Sequence, residues 1–122
     1  MLEDRDIAKL CEGRIIKASF YNTALRKNAA GPHFAIILDS DDEVKEHESY
    51  FVAVISHSEE SLFRFPVPSY TGLDGFVQCD WIEEAHLAGI SEIRSPAITK
   101  LEMQKIWKLV REAKAAKKKS TQ

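Results

Sequence analysis

The residues of this chain best suited to chemistry include two histidines beside apolar runs that predict β-strands. His33 precedes the run 34–38, and His57 follows the run 50–55. An imidazole can accept or donate a proton near neutral pH, so both positions are candidates for acid–base chemistry. Asp80, a further candidate, lies in another predicted strand. Each residue also has a simpler reading, since such side chains commonly hydrogen-bond backbone groups in turns.

Other kinds of site find little support in the sequence. His47 and His86 have no partners at metal-ligand spacing, so we expect neither a metal nor an organic cofactor. Cys11 and Cys79 are far apart and form no disulfide framework, which favours a reducing compartment. Cys79 lies in an apolar strand, where a buried thiol is more usual than a nucleophile.

Composition indicates one ordinary globular domain, spanning residues 1–122. The net charge of −2 argues against binding nucleic acid by bulk charge alone, although a local basic site is compatible with it. The first residues are charged and unlike a signal peptide, and the apolar runs are too short to cross a membrane. We therefore expect a cytoplasmic protein without a membrane segment.

Periodicity predicts a short N-terminal helix, then strands, then one long helix. The helix over 3–12 would end at Gly13, and the acidic segment 39–48 would be a solvated turn. Alternating or continuous apolar patterns predict five strands, at 14–20, 34–38, 50–55, 62–67 and 76–82. Pro66 makes the fourth strand an edge strand or a bulged one.

The C-terminal helix has a clear start. Thr99 and Glu102 form a capping box, and Ile98 and Met103 stand at the positions of a hydrophobic staple. Apolar residues then recur at helical spacing on one face, and the segment 113–122 is expected to fray as a basic tail. Five strands without intervening helices, followed by one amphipathic helix, indicate an α+β protein with a small barrel.

Several segments resemble the MazF/PemK toxin family. The opening strand from Gly13, the run that follows His33, and the strand that ends in hydroxyl residues at 56–58 fall in the family's order. The closest likeness is Gly75-Phe-Val-Gln-Cys-Asp80, similar to the family's Gly-x-Val-x-x-Asp strand. The helix from Thr99 takes the place of the family's last helix.

This resemblance implies an SH3-like barrel that forms a homodimer and cleaves single-stranded RNA without metal, restrained by a cognate antitoxin. The apolar helix and first strand also favour a twofold interface. The implied catalytic residues are His33, His57 and Asp80. The implied substrate-binding residues are Arg26, Lys27, Ser56, Ser58 and Gln78.

The chain also departs from the family. His33 stands where the family has an arginine, His57 where a threonine is common, and Gln78 where some members carry a catalytic arginine. The rival interpretation is therefore an inactive SH3-like barrel that binds protein or nucleic acid. A gyrase poison on the same barrel is disfavoured, because such relatives end in an apolar, tryptophan-containing segment whereas this chain ends in lysines and polar residues.

Overall fold

The computed structural model describes residues 3–20, 32–46 and 48–120, and within them the strands form one antiparallel sheet. Along the chain the elements are α1 (Asp4–Ile7), β1 (Ile15–Ala18), β2 (His33–Ile37), α2 (Asp41–Glu46), β3 (Ser49–Ser56), β4 (Arg64–Pro66), β5 (Phe76–His86), β6 (Ile90–Arg94) and α3 (Lys100–Ser120). The strand order in the sheet is β4-β5-β3-β2-β1-β6. The predicted α+β class, with a small antiparallel barrel and a C-terminal helix, is confirmed.

The sheet buries both of its faces. One face closes over an inner cluster that draws on every strand except β4, so the sheet is curled around it. Its buried members are Leu10, Ile16, Ala18, Phe20, Ala35, Ile37, Val44, Tyr50, Val52, Val54, Ala85 and Ile90. The other face packs against α3 in a helix-side cluster. Its buried members are Ile15, Ile36, Leu38, Ala53, Ile55, Val77, Cys79, Ile98, Met103, Ile106 and Val110.

The start of α3 is fixed by the predicted cap together with a residue that the sequence did not indicate. The backbone N–H of Glu102 donates to Thr99 Oγ1 at 3.3 Å, as in a capping box. The reciprocal bond is replaced, because the N–H of Thr99 donates to the hydroxyl of Tyr70 at 3.2 Å. That hydroxyl donates in turn to the Glu102 carboxylate. The cap thus ties α3 to the segment before β5.

The structure adds a strand that the sequence pattern did not reveal. β6 pairs with β1 at one edge of the sheet, and β5 continues to His86, beyond the predicted limit at residue 82. Only Ile90 of β6 is fully buried, so the apolar alternation that would indicate a strand is weak. The predicted edge strand is confirmed, since β4 lies at the opposite edge and ends at Pro66.

The predicted solvated turn at 39–48 was wrong, whereas the predicted short N-terminal helix is present but shorter than expected. The acidic segment is not a simple turn, because Asp41–Glu46 forms α2, with the N–H of Glu43 donating to Ser40 Oγ and Val44 buried in the inner cluster. Carboxylates in a first helical turn are stabilised by the helix dipole, which makes an acidic run compatible with a helix. The N-terminal helix covers only Asp4–Ile7, because Ile7 is exposed and provides no buried anchor.

The basic end of α3 remains helical to Ser120, where the sequence predicted fraying from residue 113. Alanine and lysine, which dominate this segment, have high helix propensity, and the preceding turns are anchored by the helix-side cluster. No helix among the described residues is long and apolar enough to cross a membrane.

Replacing Gly13 by Ala should destabilise the fold more than replacing Gly72 by Ala. Both residues have positive φ, 85° and 75°, so either alanine adopts a left-handed conformation that costs about 1–2 kcal/mol. A Cβ at Gly13 would also lie 2.9 Å from the carbonyl oxygen of Ile98, whereas at Gly72 the nearest atom is Nη2 of Arg94 at 3.6 Å.

We expect Gly13→Ala to lower the free energy of unfolding by a further 1–3 kcal/mol, roughly the cost of overpacking. Denaturant unfolding measures this difference. Equal losses in the two variants would contradict the close packing of Gly13 against Ile98, just before α3.

Candidate functional site

Strand β5 contains a large irregularity in its pairing with β3. Ala53 of β3 pairs with Ile82, and Ile55 pairs with Val77, so two steps along β3 match five steps along β5. The extra length interrupts the pairing of the segment 78–81 with β3, and bulges commonly redirect side chains beside functional sites. This segment contains two of the predicted site residues, Gln78 and Asp80.

The Gln78 side chain holds the end of β3 in place. Its amide nitrogen donates to the carbonyl oxygen of Ser58 at 3.0 Å and to that of Ser56 at 3.4 Å. The side chain is only 4% exposed, and both amide hydrogens have partners. Gln78 therefore acts first as a positioning residue for the loop that follows β3.

Hydroxyl groups and one arginine organise the rest of that loop. Ser56 Oγ accepts from the N–H of Ser58 at 3.4 Å, and Ser58 Oγ accepts from the N–H of Glu60 at 3.3 Å. Arg64 donates to the carbonyl oxygens of Glu59 and Ser61 at 2.8 and 2.7 Å. Because these serine hydroxyls accept bonds from the backbone, their own hydrogens can be donated to a ligand.

Four predicted site residues meet at one shallow pocket of about 230 Å³. They are Ser56, Ser58, Gln78 and Asp80. The remaining described lining residues are Glu60, Ser61 and Trp81, so the described lining includes two carboxylates and neither a lysine nor an arginine. This lining can donate hydrogen bonds through its hydroxyls and can accept a proton at a carboxylate.

His33 approaches this pocket through an aromatic contact. Its ring lies 5.6 Å from that of Trp81, centroid to centroid, in an edge-on arrangement, and stacks at 6.4 Å on Phe20. In the antiparallel β2–β3 ladder Ala35 pairs with Val54. Ala35 comes two residues after His33, and Val54 comes two residues before Ser56. His33 and Ser56 therefore lie at the same end of neighbouring strands and on the same face.

His57 is placed differently. It is exposed and lies between two serines that line the pocket, but it is not among the described lining residues. A Cβ built on Gly75 would lie 3.5 Å from the imidazole Cδ2 of His57, so the ring lies beside Gly75. The structure thus leaves His57 at the rim, while His33 contacts a lining residue.

Two predicted substrate-binding residues, Arg26 and Lys27, lie outside the described residues. Among the described residues, no three His, Cys, Asp or Glu side chains cluster as a metal site would require.

Sequence reasoning missed Trp81 and Glu60 as site residues. Trp81 directly follows Asp80, and regular alternation would place the two on opposite faces of the strand. The bulge in β5 removes this constraint, and both residues line the pocket. Nothing in the spacing of the residues indicates a bulge of this size.

Solved structures with the same fold are known, although neither a family model nor a curated protein matches the chain. A mycobacterial endoribonuclease in complex with its cognate antitoxin superposes with a TM-score of 0.72 at 13% identity, covering 87% of this chain and 95% of its own. MazF from Deinococcus radiodurans gives 0.67 at 12% identity, covering 83% and 92%. The Mycobacterium tuberculosis toxin MazF-mt6 gives 0.66 at 16% identity, covering 82% and 94%.

These likenesses establish the fold. The chain has the fold of the MazF endoribonuclease toxins, as its segments predicted. Because fold alone does not fix activity, the function depends on the chemistry of the pocket at the end of β3.

Replacing Gln78 by Met should loosen the pocket while keeping the shape of the side chain. The carbonyl oxygens of Ser56 and Ser58 would each lose a hydrogen bond, which should reduce the free energy of unfolding by about 1–2 kcal/mol. Amide hydrogens of residues 57–62 should exchange faster, as measured by mass spectrometry.

Gln104→Met, at an exposed position of α3, is the matched control and should change neither quantity. Unchanged exchange of the 57–62 loop in Gln78→Met would contradict the positioning role.

Proposed function

We propose that this protein is a metal-independent endoribonuclease that cleaves single-stranded RNA and acts as the toxin of a toxin–antitoxin pair. The observation that carries the proposal is the polar pocket at the end of β3, built from hydroxyls and the Asp80 carboxylate on a MazF fold. Similar chains of this fold are described as endoribonucleases and toxins.

The reaction needs two proton transfers. A base takes the proton of the ribose 2′-hydroxyl, O2′ attacks phosphorus, the bond to the 5′-oxygen breaks, and an acid protonates the leaving oxygen. The products are a 2′,3′-cyclic phosphate and a 5′-hydroxyl. We assign the two roles to Asp80, which lines the pocket, and to His33, which contacts the Trp81 wall.

The other pocket residues bind and position the substrate. The hydroxyls of Ser56 and Ser58 can donate to phosphate oxygens, where charge develops during attack. Gln78 holds the backbone of both serines by donating hydrogen bonds to their carbonyl oxygens. Arg26 and Lys27 keep the phosphate-binding role that the family resemblance implies.

The sequence-based pairing of His33 with His57 receives less support than the pairing of His33 with Asp80. His57 lies beside Gly75 at the rim of the pocket. A general base or acid must come within hydrogen-bond reach of the proton it transfers. We therefore place His57 among residues that contact RNA outside the reacting phosphate.

An inactive binding module is the second candidate, and one observation favours it. The described lining of the pocket is acidic, with Glu60 and Asp80, and includes neither arginine nor lysine. Phosphate binding there depends on positive charge that comes from neighbouring elements.

Cleavage of a mixed-sequence RNA in EDTA decides between the two candidates. The wild-type protein should produce 2′,3′-cyclic phosphate ends. Asp80→Asn and His33→Ala should each lower kcat by about 10²–10⁴, the usual contribution of a positioned acid or base. His57→Ala should lower it by less than about tenfold, because its ring lies outside the pocket.

His86→Ala at the other end of β5 is the control, and its cleavage rate should equal that of the wild type. Intact RNA after incubation with the wild-type protein would refute the enzyme and favour the binding module.

We further propose that the protein acts in the cytoplasm as a homodimer and binds an antitoxin. Its similar chains include a complex of an endoribonuclease with its antitoxin and a MazE–MazF complex. The first strand gives no surface for the dimer, because Ile15 and Ile16 are fully buried. Exposed apolar side chains elsewhere, including Phe51 at 55% and Leu101 at 66%, are better candidates.

Light scattering of the purified chain at tens of micromolar should give the mass of a dimer, because interfaces of standard size are populated at that concentration. A mass of one chain of 13.8 kDa would contradict this proposal without affecting the assignment of the pocket.

A further inference from the structure

A second cleft shares Asp80 with the pocket at the end of β3. It has a volume of about 600 Å³ and lies between the last turns of α3, the strand β5 and Phe63, the residue that precedes β4. Its lining includes two apolar side chains, one carboxylate and two lysines, namely Phe63, Ile82, Asp80, Lys114 and Lys117. Because Asp80 also lines the pocket at the end of β3, the two cavities are adjacent.

The two lysines follow the buried face of α3. Val110 is 1% and Ala113 is 8% exposed, and Lys114 and Lys117 each come four residues after one of them. Residues four apart lie on the same side of a helix. The helix face that covers the sheet therefore becomes basic where it reaches the cleft.

This placement differs from a general enrichment of lysine at a helix end. Lysines in a last turn favour the helix dipole whichever way they point, and Lys105 and Lys108 are exposed without lining the cleft. Lys114 and Lys117 line a cavity together with apolar side chains of the sheet. The cleft therefore has basic groups on one wall and an apolar floor.

Apart from the Asp80 carboxylate, which the cleft shares with the pocket at the end of β3, the sheet side of the lining is uncharged. Phe63 and Ile82 are half-buried and pack against the helix-side cluster. Burial, together with the charge of Asp80, raises the pKa of the Cys79 thiol to about 12, so this lining residue is uncharged at neutral pH. An aromatic ring beside lysines is the combination that binds single-stranded nucleic acid, with a base on the ring and phosphates on the cations.

We propose that this cleft is a nucleotide subsite for the RNA strand that continues from the catalytic pocket. One base would lie on Phe63, and the phosphates of that flank would contact Lys114 and Lys117. The subsite rests on the proposed ribonuclease function and supplies positive charge that the described lining of the catalytic pocket lacks.

The test uses the full chain, a short single-stranded RNA with one cleavage site, and the variant Lys114→Gln/Lys117→Gln. Loss of two phosphate contacts should raise KM about tenfold with kcat unchanged, and reduce the slope of log K against log salt by about 1.4. Lys105→Gln/Lys108→Gln removes the same charge from α3 outside the cleft and should leave KM near the wild-type value.

Truncation of the RNA identifies the flank that fills the cleft. Removing nucleotides from one side of the cleavage site should raise KM more for the wild type than for Lys114→Gln/Lys117→Gln, because that variant has already lost the phosphate contacts of this flank. Phe63→Leu keeps an apolar floor and should raise KM about fivefold or more, the lower end of the contribution of one base–aromatic stack.

Equal KM values for the two double-lysine variants, in a protein that cleaves RNA, would overturn the subsite and leave the ribonuclease intact. Wild-type protein that neither binds nor cleaves the RNA would refute the proposed function itself. Lysine-dependent binding of a polyglutamate peptide, with RNA affinity unchanged in Lys114→Gln/Lys117→Gln, would assign the cleft to an acidic polypeptide and overturn the RNA subsite.

Discussion

The central constraint on this fold is that its middle strands are apolar on both faces. In β2, Ala35 and Ile37 point into the inner cluster, while Ile36 points into the helix-side cluster. Each buried aliphatic side chain contributes about 1.5–3 kcal/mol only if water is excluded from its side of the sheet. The sheet therefore curls around one face, and α3 covers the other. The polar pocket lies where β2 begins and β3 ends, at the margin of the region in which both faces of the sheet are buried.

Strand β5 contributes residues to both buried faces of the sheet and also to the polar pocket. Near Val77 it pairs with both β3 and β4, and from Ile82 onwards it pairs with β3 alone. The irregular segment between these residues contains a glutamine that is almost fully buried, which would be unfavourable without partners. Its bonds to two backbone carbonyls compensate for burial and at the same time hold the serine loop. The same side chain thus stabilises the bulge and shapes the site.

The sequence predicts those parts of the fold that depend on apolar periodicity. The continuous run of β2, the edge position of Pro66 and the buried face of α3 all follow from local pattern. It fails where tertiary contacts decide. β6 is a strand because β1 offers a free edge, α2 is a helix because Val44 reaches the inner cluster, and Tyr70 replaces half of the capping box from 29 residues away. For the site, the sequence names four residues that share a pocket. It cannot anticipate Trp81, because a bulge in β5 brings it into the lining, nor the position of His57 beside Gly75, which is a tertiary contact.

A chain with a net charge of −2 can serve a polyanion only through where its charges lie. The loop after β3 is rich in serine and glutamate, and its carboxylates repel phosphate unless cations lie close by. α3 places such cations in the cleft that Asp80 also lines, because its 21 residues carry the helix beyond Ala113, the last residue of its sheet-facing stripe that is buried among those whose side chains the structure describes. A helix that ended at Ala113 would cover the helix-side cluster equally well. The turns beyond it therefore add little to the core, and their physical consequence is the placement of ammonium groups across a cleft from Asp80.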